Sequence, residues 1–299
     1  MLLIVVNVIL FCLYATVCLC SGQGTVNLPK TSSVPAVLAF GDSFLDTGNN
    51  NYITTLGKAN FLPYGKDFMG GKPTGRFSNG KNIADFFGVK EYLPPYLDPS
   101  LQVNDLVTGV SFASGGSGTN DLIISLPARS LQDDVLTYDR MLVNLTLSFV
   151  QQLYEMGARR IGVFSIPPIG CFPAERTLFG GVLRKCVHKE NEASQLYNNM
   201  LKEQLPLLGS SLSESKIAFV DFYNPLISVI NNPQQYGLDV IDRGCCGTGL
   251  LEVVILCNRL SLTCLDDSKF FFWDNAHLTE IGCNIFVNQT LPGLVDSLL

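Results

Sequence analysis

Histidine is scarce in this sequence, since only two of its 299 residues are histidines. A histidine is the usual base for a serine nucleophile, so the sequence offers few positions for one. His188 lies in a charged run that is typical of the solvated start of a helix. His277 follows Asp274 by three residues, and this carboxylate can hold the imidazole in the tautomer that a base requires. The sequence therefore favours His277 as the base.

Basic residues and metal-binding cysteine patterns are also few. The 20 lysines and arginines are outnumbered by 26 aspartates and glutamates, which gives a net charge of -6. Nucleic-acid binding relies on clustered basic side chains, so we expect no nucleic-acid partner and favour a small neutral molecule. No Cys-x-x-Cys pair with a nearby histidine supports a zinc site, and we expect neither a metal nor another cofactor.

The N-terminus lacks basic residues ahead of an apolar run over residues 1–20, which Ser21 and Gly22 close. We interpret residues 1–22 as a signal peptide, with an uncleaved membrane anchor as the alternative because the basic region is missing. The first interpretation predicts a secreted, extracellular protein with no stable membrane anchor after signal cleavage. No proline-rich or serine-rich linker divides the remainder, and residues 33–299 are predicted to form one domain.

The ten cysteines are distributed unevenly. Three would leave with the signal peptide, and the seven that remain are Cys171, Cys186, Cys245, Cys246, Cys257, Cys264 and Cys283. An oxidising compartment favours disulfides. Cys171 and Cys186 would close one loop, and the four cysteines within 245–264 would form two bridges whose pairing stays open. Cys283 would be a buried free thiol.

Two Asn-x-Thr sequences begin at Asn144 and Asn288. Such sequences are acceptors for N-glycosylation in secreted proteins. We therefore predict a glycoprotein if both asparagines are exposed.

One stretch combines a buried strand with a candidate nucleophile. Residues 36–40 are apolar and typical of a short buried strand, and a Gly-Asp pair then places Ser43 where a helix would begin. Unpaired backbone N–H groups at such a point can stabilise the negative charge that develops in ester cleavage. Ser43, His277 and Asp274 are therefore the candidate catalytic residues.

Strand and helix patterns alternate along the rest of the chain. Apolar runs predict strands at 106–113, 161–166 and 217–220. Apolar periodicity predicts helices at 138–156, from about 189 until Pro206 and Gly209 interrupt, and at 225–230. This alternation predicts an α/β fold with a parallel sheet covered on both faces. Ligands bind such sheets beyond the carboxyl ends of the strands, where Ser43 falls.

Several motifs resemble those of a known family. Phe40-Gly41-Asp42-Ser43 and Asp274-x-x-His277 are similar to motifs of the GDSL esterase/lipase family of the SGNH hydrolase superfamily, most closely its plant branch. Further stretches that resemble this branch are residues 73–80, 109–116, 157–163, 167–171 and 244–249. The resemblance implies a three-layer αβα sandwich of the flavodoxin-like SGNH hydrolase type. It also implies hydrolysis of carboxylic (acyl) esters, with a small-molecule or lipid ester as substrate.

The resemblance further implies an oxyanion hole. In the family, the N–H of the nucleophile, a glycine N–H and an asparagine amide donate to the oxyanion. The matching residues are Ser43, Gly115 and Asn120, and Gly115 fits better than Gly116.

The sequence departs from the family pattern at two positions. Family members carry several dozen residues before the asparagine motif, including a strand at the centre of the sheet, whereas here the glycine turn leads directly into Asn120. We therefore expect a segment with one central strand to be missing between Gly118 and Thr119. Leu278 stands where the family has a proline after the histidine, and this replacement could loosen the geometry of His277.

Two other functions stay open. If the missing segment impairs assembly, the chain would be a catalytically impaired or inactive GDSL-family isoform that acts at most as a binding protein. Secretion, glycosylation sites and aromatic residues leave a carbohydrate-binding module as the second alternative. The aromatic run 270–273 is predicted to pack in the core rather than to line an acyl pocket.

Overall fold

The computed structural model describes residues 8–12, 34–116, 135–249 and 257–299, and for 8–12 the backbone alone. The strands are β1 (Val8–Cys12), β2 (Ala36–Phe40), β3 (Gly109–Ser111), β4 (Arg160–Phe164), β5 (Lys216–Val220), β6 (Val240–Gly244) and β7 (Phe270–Phe272). The α-helices are α1 (Ile83–Phe87), α2 (Val103–Leu106), α3 (Val135–Glu155), α4 (Pro173–Phe179), α5 (His188–Ser211), α6 (Asn224–Asn231) and α7 (Glu280–Leu298). Within the described ranges, none of these helices has the length and hydropathy needed to cross a membrane.

A five-stranded sheet with the order β3-β2-β1-β4-β5 forms the centre of the fold. β2 pairs in parallel with β3, and β4 pairs in parallel with β5. The apolar sequences of β2 and β4 suit strands of this kind, because parallel strands are covered on both faces. The predicted strands at 36–40 and 217–220 and the predicted helices at 138–156 and 225–230 are confirmed within a few residues.

Helices cover both faces of this sheet. Side chains of a strand alternate between its faces, so Phe219 and Val220 of β5 point in opposite directions. Lys202 of α5 lies over the Phe219 ring, 5.9 Å from its centroid. On the other face, a Cβ built at Gly162 of β4 would lie 3.3 Å from Val220 and 3.2 Å from Leu294 of α7. The two helices therefore lie on opposite faces, which confirms the predicted three-layer α/β architecture.

Two sequence predictions about element ends are wrong. The strand predicted at 106–113 is limited to β3, because the residues before it form α2, where Asp105 Oδ2 accepts the backbone N–H of Gln102 at 3.0 Å. The helix predicted to be interrupted at Pro206 and Gly209 continues to Ser211. The proline ring is exposed, while Leu205 beside it is buried in the core, so packing outweighs the loss of one backbone hydrogen bond.

The segment from Gly237 to Cys264, which carries four cysteines, contains a strand that its composition did not indicate. β6 pairs in parallel with β7, which leads directly to Asp274. The aromatic run after the loop packs as predicted, since Phe271, Phe272 and Trp273 are fully buried. This small sheet places the segment that carries His277 against the main body of the domain.

β1 lies between β2 and β4 and runs antiparallel to both. It occupies the position for which the sequence predicts a missing parallel strand, and it comes from the segment that the sequence identifies as a signal peptide. Removal of that segment would leave the facing edges of β2 and β4 without this partner. Backbone groups at such edges need another partner, because buried N–H and C=O groups are almost always paired.

Candidate active site

Ser43 lies three residues beyond the carboxyl end of β2. The expected helix start at this serine is wrong, since residues 41–45 form turns. The backbone N–H groups of Leu45 and Asp46 both donate to the carbonyl of Asp42, at 3.1 and 3.0 Å, which closes a single turn. The carboxylate of Asp46 accepts the backbone N–H groups of Gly48 and Asn49. Because these N–H groups bind a side chain and not the backbone carbonyls of a helix, the turn ends at Asp46. Ser43 is thus presented on a tight, buried turn.

The structure brings Ser43, His277 and Asp274 together. His277 Nε2 lies 2.7 Å from Ser43 Oγ. His277 Nδ1 lies 2.8 Å from Asp274 Oδ1 and 2.7 Å from Oδ2. With Nδ1–H donating to the carboxylate, Nε2 has a lone pair directed at the serine hydroxyl, which is the tautomer that a base needs.

Asp274 is held in its ionised form. It is 1% exposed, and its Oδ1 accepts the backbone N–H groups of Ala276 and His277 at 3.0 and 2.8 Å. Burial by itself raises the pKa of Asp274, but the imidazole of His277 and the two backbone donors outweigh it and leave the pKa below the usual value of aspartate. The carboxylate therefore carries a negative charge beside the imidazole at neutral pH.

Tyr64 is a fourth member of this arrangement, although no pattern in the sequence points to it. Its hydroxyl donates to Asp274 Oδ2 at 2.7 Å. Burial, together with the charge of Asp274, raises the pKa of Tyr64 well above its usual value, so the hydroxyl keeps its proton and stays a donor. Tyr64 lies in a long loop dense in glycine, asparagine and proline, and no spacing relates it to a residue 210 positions away.

Aromatic rings enclose the imidazole of His277. The Phe44 ring lies 5.5 Å from it and the Phe77 ring 5.0 Å, centroid to centroid. Both phenylalanines are buried. These rings limit the positions of the imidazole and keep water from its faces.

The turn that carries His277 is closed without the family's proline. The N–H of Trp273 donates to the carbonyl of His277 at 2.7 Å, and the N–H of Thr279 donates to the carbonyl of Phe271 at 3.0 Å. Leu278, in the place of the proline, is 1% exposed and packs in the core. These two hydrogen bonds and the burial of Leu278 therefore fix the entry into α7, where a proline would fix it by restricting φ.

The expected oxyanion-hole residues are placed in part. Gly115 follows β3, and its N–H donates to Asp46 Oδ2 at 2.9 Å. A Cβ at Gly115 would lie 2.6 Å from the Phe77 ring, so only glycine fits there. Asn120 lies outside the described residues, and its role stays a prediction.

The disulfides link segments that support the site. Cys171 pairs with Cys186, Cys245 with Cys264 and Cys246 with Cys257, which confirms the first loop and answers the open pairing of the other four. The last two bridges belong to one buried cluster with Tyr64 and Trp273. Cys283 is a buried free thiol, as predicted.

Asn144 and Asn288 are exposed, on α3 and α7. Exposure leaves both available for modification, and their glycosylation stays a prediction. Among the residues that the structure describes, no group of three or more histidine, cysteine, aspartate or glutamate side chains is arranged to hold a metal ion.

A serine hydroxyl, an imidazole and a buried carboxylate joined in this order form the arrangement of a serine hydrolase site. The chain belongs to the family of GDSL-like lipases and acylhydrolases, whose sequence model matches residues 117–289. It is accordingly a carboxylic ester hydrolase, and the resemblance in the motifs is confirmed.

Curated relatives from Arabidopsis thaliana extend this similarity over most of the chain. The GDSL esterase/lipase At5g42170 is 37% identical, with 93% of this chain and 90% of the relative covered. The GDSL esterase/lipase At1g20120 is 41% identical, with 91% and 84% covered. The GDSL esterase/lipase EXL3 is 38% identical, with 95% and 94% covered. These alignments run over 334, 336 and 343 positions, more than the 299 residues of this chain, so each relative has residues without a counterpart here.

Proposed function

We propose that this protein is secreted and hydrolyses carboxylic esters through a covalent acyl-enzyme on Ser43. The observation that carries the proposal is the 2.7 Å contact between Ser43 Oγ and His277 Nε2. Three disulfides agree with an oxidising compartment outside the cytoplasm. Hydrolysis of a short-chain p-nitrophenyl ester by the wild type, and its loss in Ser43→Ala, tests the proposal.

In the first half of the reaction, Ser43 Oγ attacks the acyl carbon while its proton moves to His277 Nε2. The tetrahedral intermediate then loses the alcohol, which takes that proton as the ester C–O bond breaks. In the second half, water attacks the acyl-Ser43 ester and gives a proton to His277, which returns it to Ser43 Oγ as the carboxylic acid leaves. Asp274 orients the imidazole and stabilises its charged form in both halves.

Three groups donate hydrogen bonds to the oxyanion of the tetrahedral intermediate in this proposal. They are the N–H groups of Ser43 and Gly115 and the side-chain amide of Asn120. The Gly115 N–H must turn from Asp46 to the oxyanion for this role. Burial raises the pKa of Asp46, and the N–H groups of Gly48, Gly115 and Asn49 oppose that shift. Asp46 keeps other backbone donors when Gly115 turns away, which makes the exchange feasible.

We also infer that this copy lacks a family segment between Gly118 and Thr119. The alignments that exceed the length of this chain support the inference. The antiparallel β1 between β2 and β4 supports it as well, since an N-terminal strand fills the central position.

A truncated chain without residues 1–22 is therefore expected to be less stable than the full chain by at least ~3 kcal/mol, because β2 and β4 lose their shared partner. Insertion of the corresponding segment of a relative between Gly118 and Thr119 should restore the stability of the truncated chain. Urea unfolding followed by circular dichroism measures both effects. Equal stability of the full and truncated chains, with no gain from the insert, would contradict the inference.

Tyr64→Phe is expected to reduce kcat about tenfold with little change in KM, because the carboxylate that orients His277 loses a buried donor. Without this donor the pKa of Asp274 rises, so the acid limb of the pH–rate profile moves to higher pH. Steady-state kinetics from acid to neutral pH measure both effects.

Tyr197→Phe is the matched control for that substitution. Tyr197 is also a buried tyrosine, and its hydroxyl lies 2.7 Å from Thr146 Oγ1 in the contact between α3 and α5. Both variants remove one buried hydroxyl, but only Tyr64→Phe should alter the pH–rate profile. If the two variants lose stability alike and neither changes the profile, Tyr64 has no role beyond packing.

A further inference from the structure

We propose that the loop closed by Cys171 and Cys186 docks the enzyme on a lipid surface, so that its ester substrate is drawn from a lipid–water interface. This inference rests on the proposed ester hydrolysis. The middle of the loop carries four strongly exposed apolar side chains, which we call the apolar tip. They are Leu178 (53% exposed), Phe179 (54%), Val182 (101%) and Leu183 (74%). Apolar side chains grouped at this level of exposure are uncommon on a soluble surface and mark interaction sites.

The apolar tip is held by a rigid scaffold. Arg176 is buried and spans the loop, with Nε donating to the carbonyl of Cys171 at 2.7 Å and Nη1 to the carbonyl of Arg184 at 2.9 Å. The turn between the two halves is fixed by the N–H of Gly180 on the carbonyl of Arg176 and the N–H of Lys185 on the carbonyl of Gly180, both at 3.0 Å. A disulfide, a buried arginine and a paired turn therefore present these apolar side chains to solvent in a fixed arrangement.

The scaffold is attached to the candidate active site. The N–H of Ala174, at the start of α4, donates at 2.9 Å to the carbonyl of Asn275, which lies between Asp274 and His277 in the sequence. The Phe172 ring lies 6.0 Å from the ring of Phe44, the neighbour of Ser43. A surface bound by the apolar tip would therefore lie beside the site that cleaves the ester.

The size and charge of this region favour a lipid surface over a protein partner. Four side chains supply much less contact area than the ~800 Å² per partner of a stable protein interface. Lys185, whose N–H donates to Gly180 in the turn, is exposed beside the apolar tip, and Lys189 is exposed at the start of α5, although the chain as a whole carries a net charge of -6. Apolar side chains that enter the acyl region, with lysines at the level of the phosphates, match the way proteins bind to bilayer surfaces.

The test compares Val182→Asp/Leu183→Asp with Met156→Asp/Leu207→Asp. The control residues are also exposed, at 73% and 63%, but they lie near the carboxyl ends of α3 and α5, before the chain enters β4 and β5, whereas the loop follows the carboxyl end of β4. Each pair adds two charges at solvent-exposed positions. Co-sedimentation with phosphatidylcholine vesicles containing phosphatidylserine measures docking, and the rate on an emulsified long-chain ester divided by that on a soluble short-chain ester measures its consequence.

We expect the loop variant to lose vesicle binding and to lower the activity ratio at least about tenfold, whereas the control keeps both. A loop variant that matches the control in both measurements overturns the proposal. So does a wild type that does not sediment with vesicles, or a loop variant whose main change is the loss of a dimer in analytical ultracentrifugation. Vesicle binding by Ser43→Ala separates the two proposals, because docking does not need turnover. If vesicles are bound but no ester is cleaved, the hydrolase function fails and the docking surface stands.

Discussion

Ser43→Ala is expected to lower kcat for ester hydrolysis by about four to six orders of magnitude, because no other group lies in the position of the nucleophile. Ser43 Oγ is the atom that His277 Nε2 contacts at 2.7 Å. Alanine removes this atom and leaves the imidazole and Asp274 in place. A short-chain p-nitrophenyl ester, followed by the release of nitrophenolate, measures the loss.

Ser194→Ala is the matched control for this substitution. Ser194 is fully buried in α5, and its Oγ donates at 3.0 Å to the carbonyl of Glu190 on the same helix rather than to a residue of the candidate site. Both variants exchange one buried hydroxyl for hydrogen, so a general effect on folding would appear in both. Ester hydrolysis that stays within tenfold of wild type in Ser43→Ala would exclude Ser43 as the nucleophile.

An inactive wild type would point to the impaired isoform instead. In that case the segment inserted between Gly118 and Thr119 should restore turnover, because it supplies the central strand and the context of Asn120. If the restored chain is also inactive and binds carbohydrate equally well with and without Ser43, the binding-module alternative is favoured. Each outcome selects a different function for the same set of residues.

Each of the three candidate catalytic residues that the structure brings together has a local signature in the sequence. Asp274 and His277 are three residues apart, and Ser43 directly follows a recognisable strand and turn. The strands and helices with strong apolar periodicity are likewise predicted, since burial on a sheet or helix face leaves a pattern in neighbouring residues. Patterns among neighbouring residues are therefore enough to predict these elements.

Other parts of the site depend on contacts between distant irregular segments. The bond from Tyr64 to Asp274 joins a loop near the start of the domain to a turn near its end, and no periodicity marks either residue. The N–H of Gly115 donates to Asp46 because two loops beyond neighbouring strands meet, which spacing cannot reveal. Disulfide pairing within 245–264 likewise cannot be read from spacing, since the adjacent Cys245 and Cys246 pair with different cysteines.

Asp274→Asn is expected to reduce kcat by about three to four orders of magnitude while Ser43 and His277 remain in contact. An amide can donate to Nδ1, which favours the tautomer with the proton on Nε2, and that nitrogen then cannot accept the proton of Ser43. With its nitrogen on Nδ1, the amide has one oxygen left, and the backbone N–H groups of Ala276 and His277 already donate to that position. The Tyr64 hydroxyl then loses the acceptor oxygen that the carboxylate gave it, so we expect a loss of about 2 kcal/mol in stability at neutral pH. Kinetics at neutral pH and urea unfolding measure the two losses.

The pH dependence of that stability loss follows from the lowered pKa of Asp274. A carboxylate with a pKa below its unfolded value stabilises the fold above the unfolded pKa, and this contribution disappears as the pH falls through the folded pKa. The difference in stability between wild type and Asp274→Asn should therefore be largest at neutral pH and shrink in strong acid. A difference that is independent of pH would mean that the charge of Asp274 does not stabilise the fold.

Adding Tyr64→Phe to Asp274→Asn separates orientation from burial. The second substitution removes the hydroxyl that the amide cannot satisfy, so part of the lost stability should return. Activity should not return, because the imidazole still lacks the carboxylate that selects its tautomer. Recovery of activity together with stability would instead assign the effect of Asp274 to packing, and the charge beside His277 would have no part in catalysis.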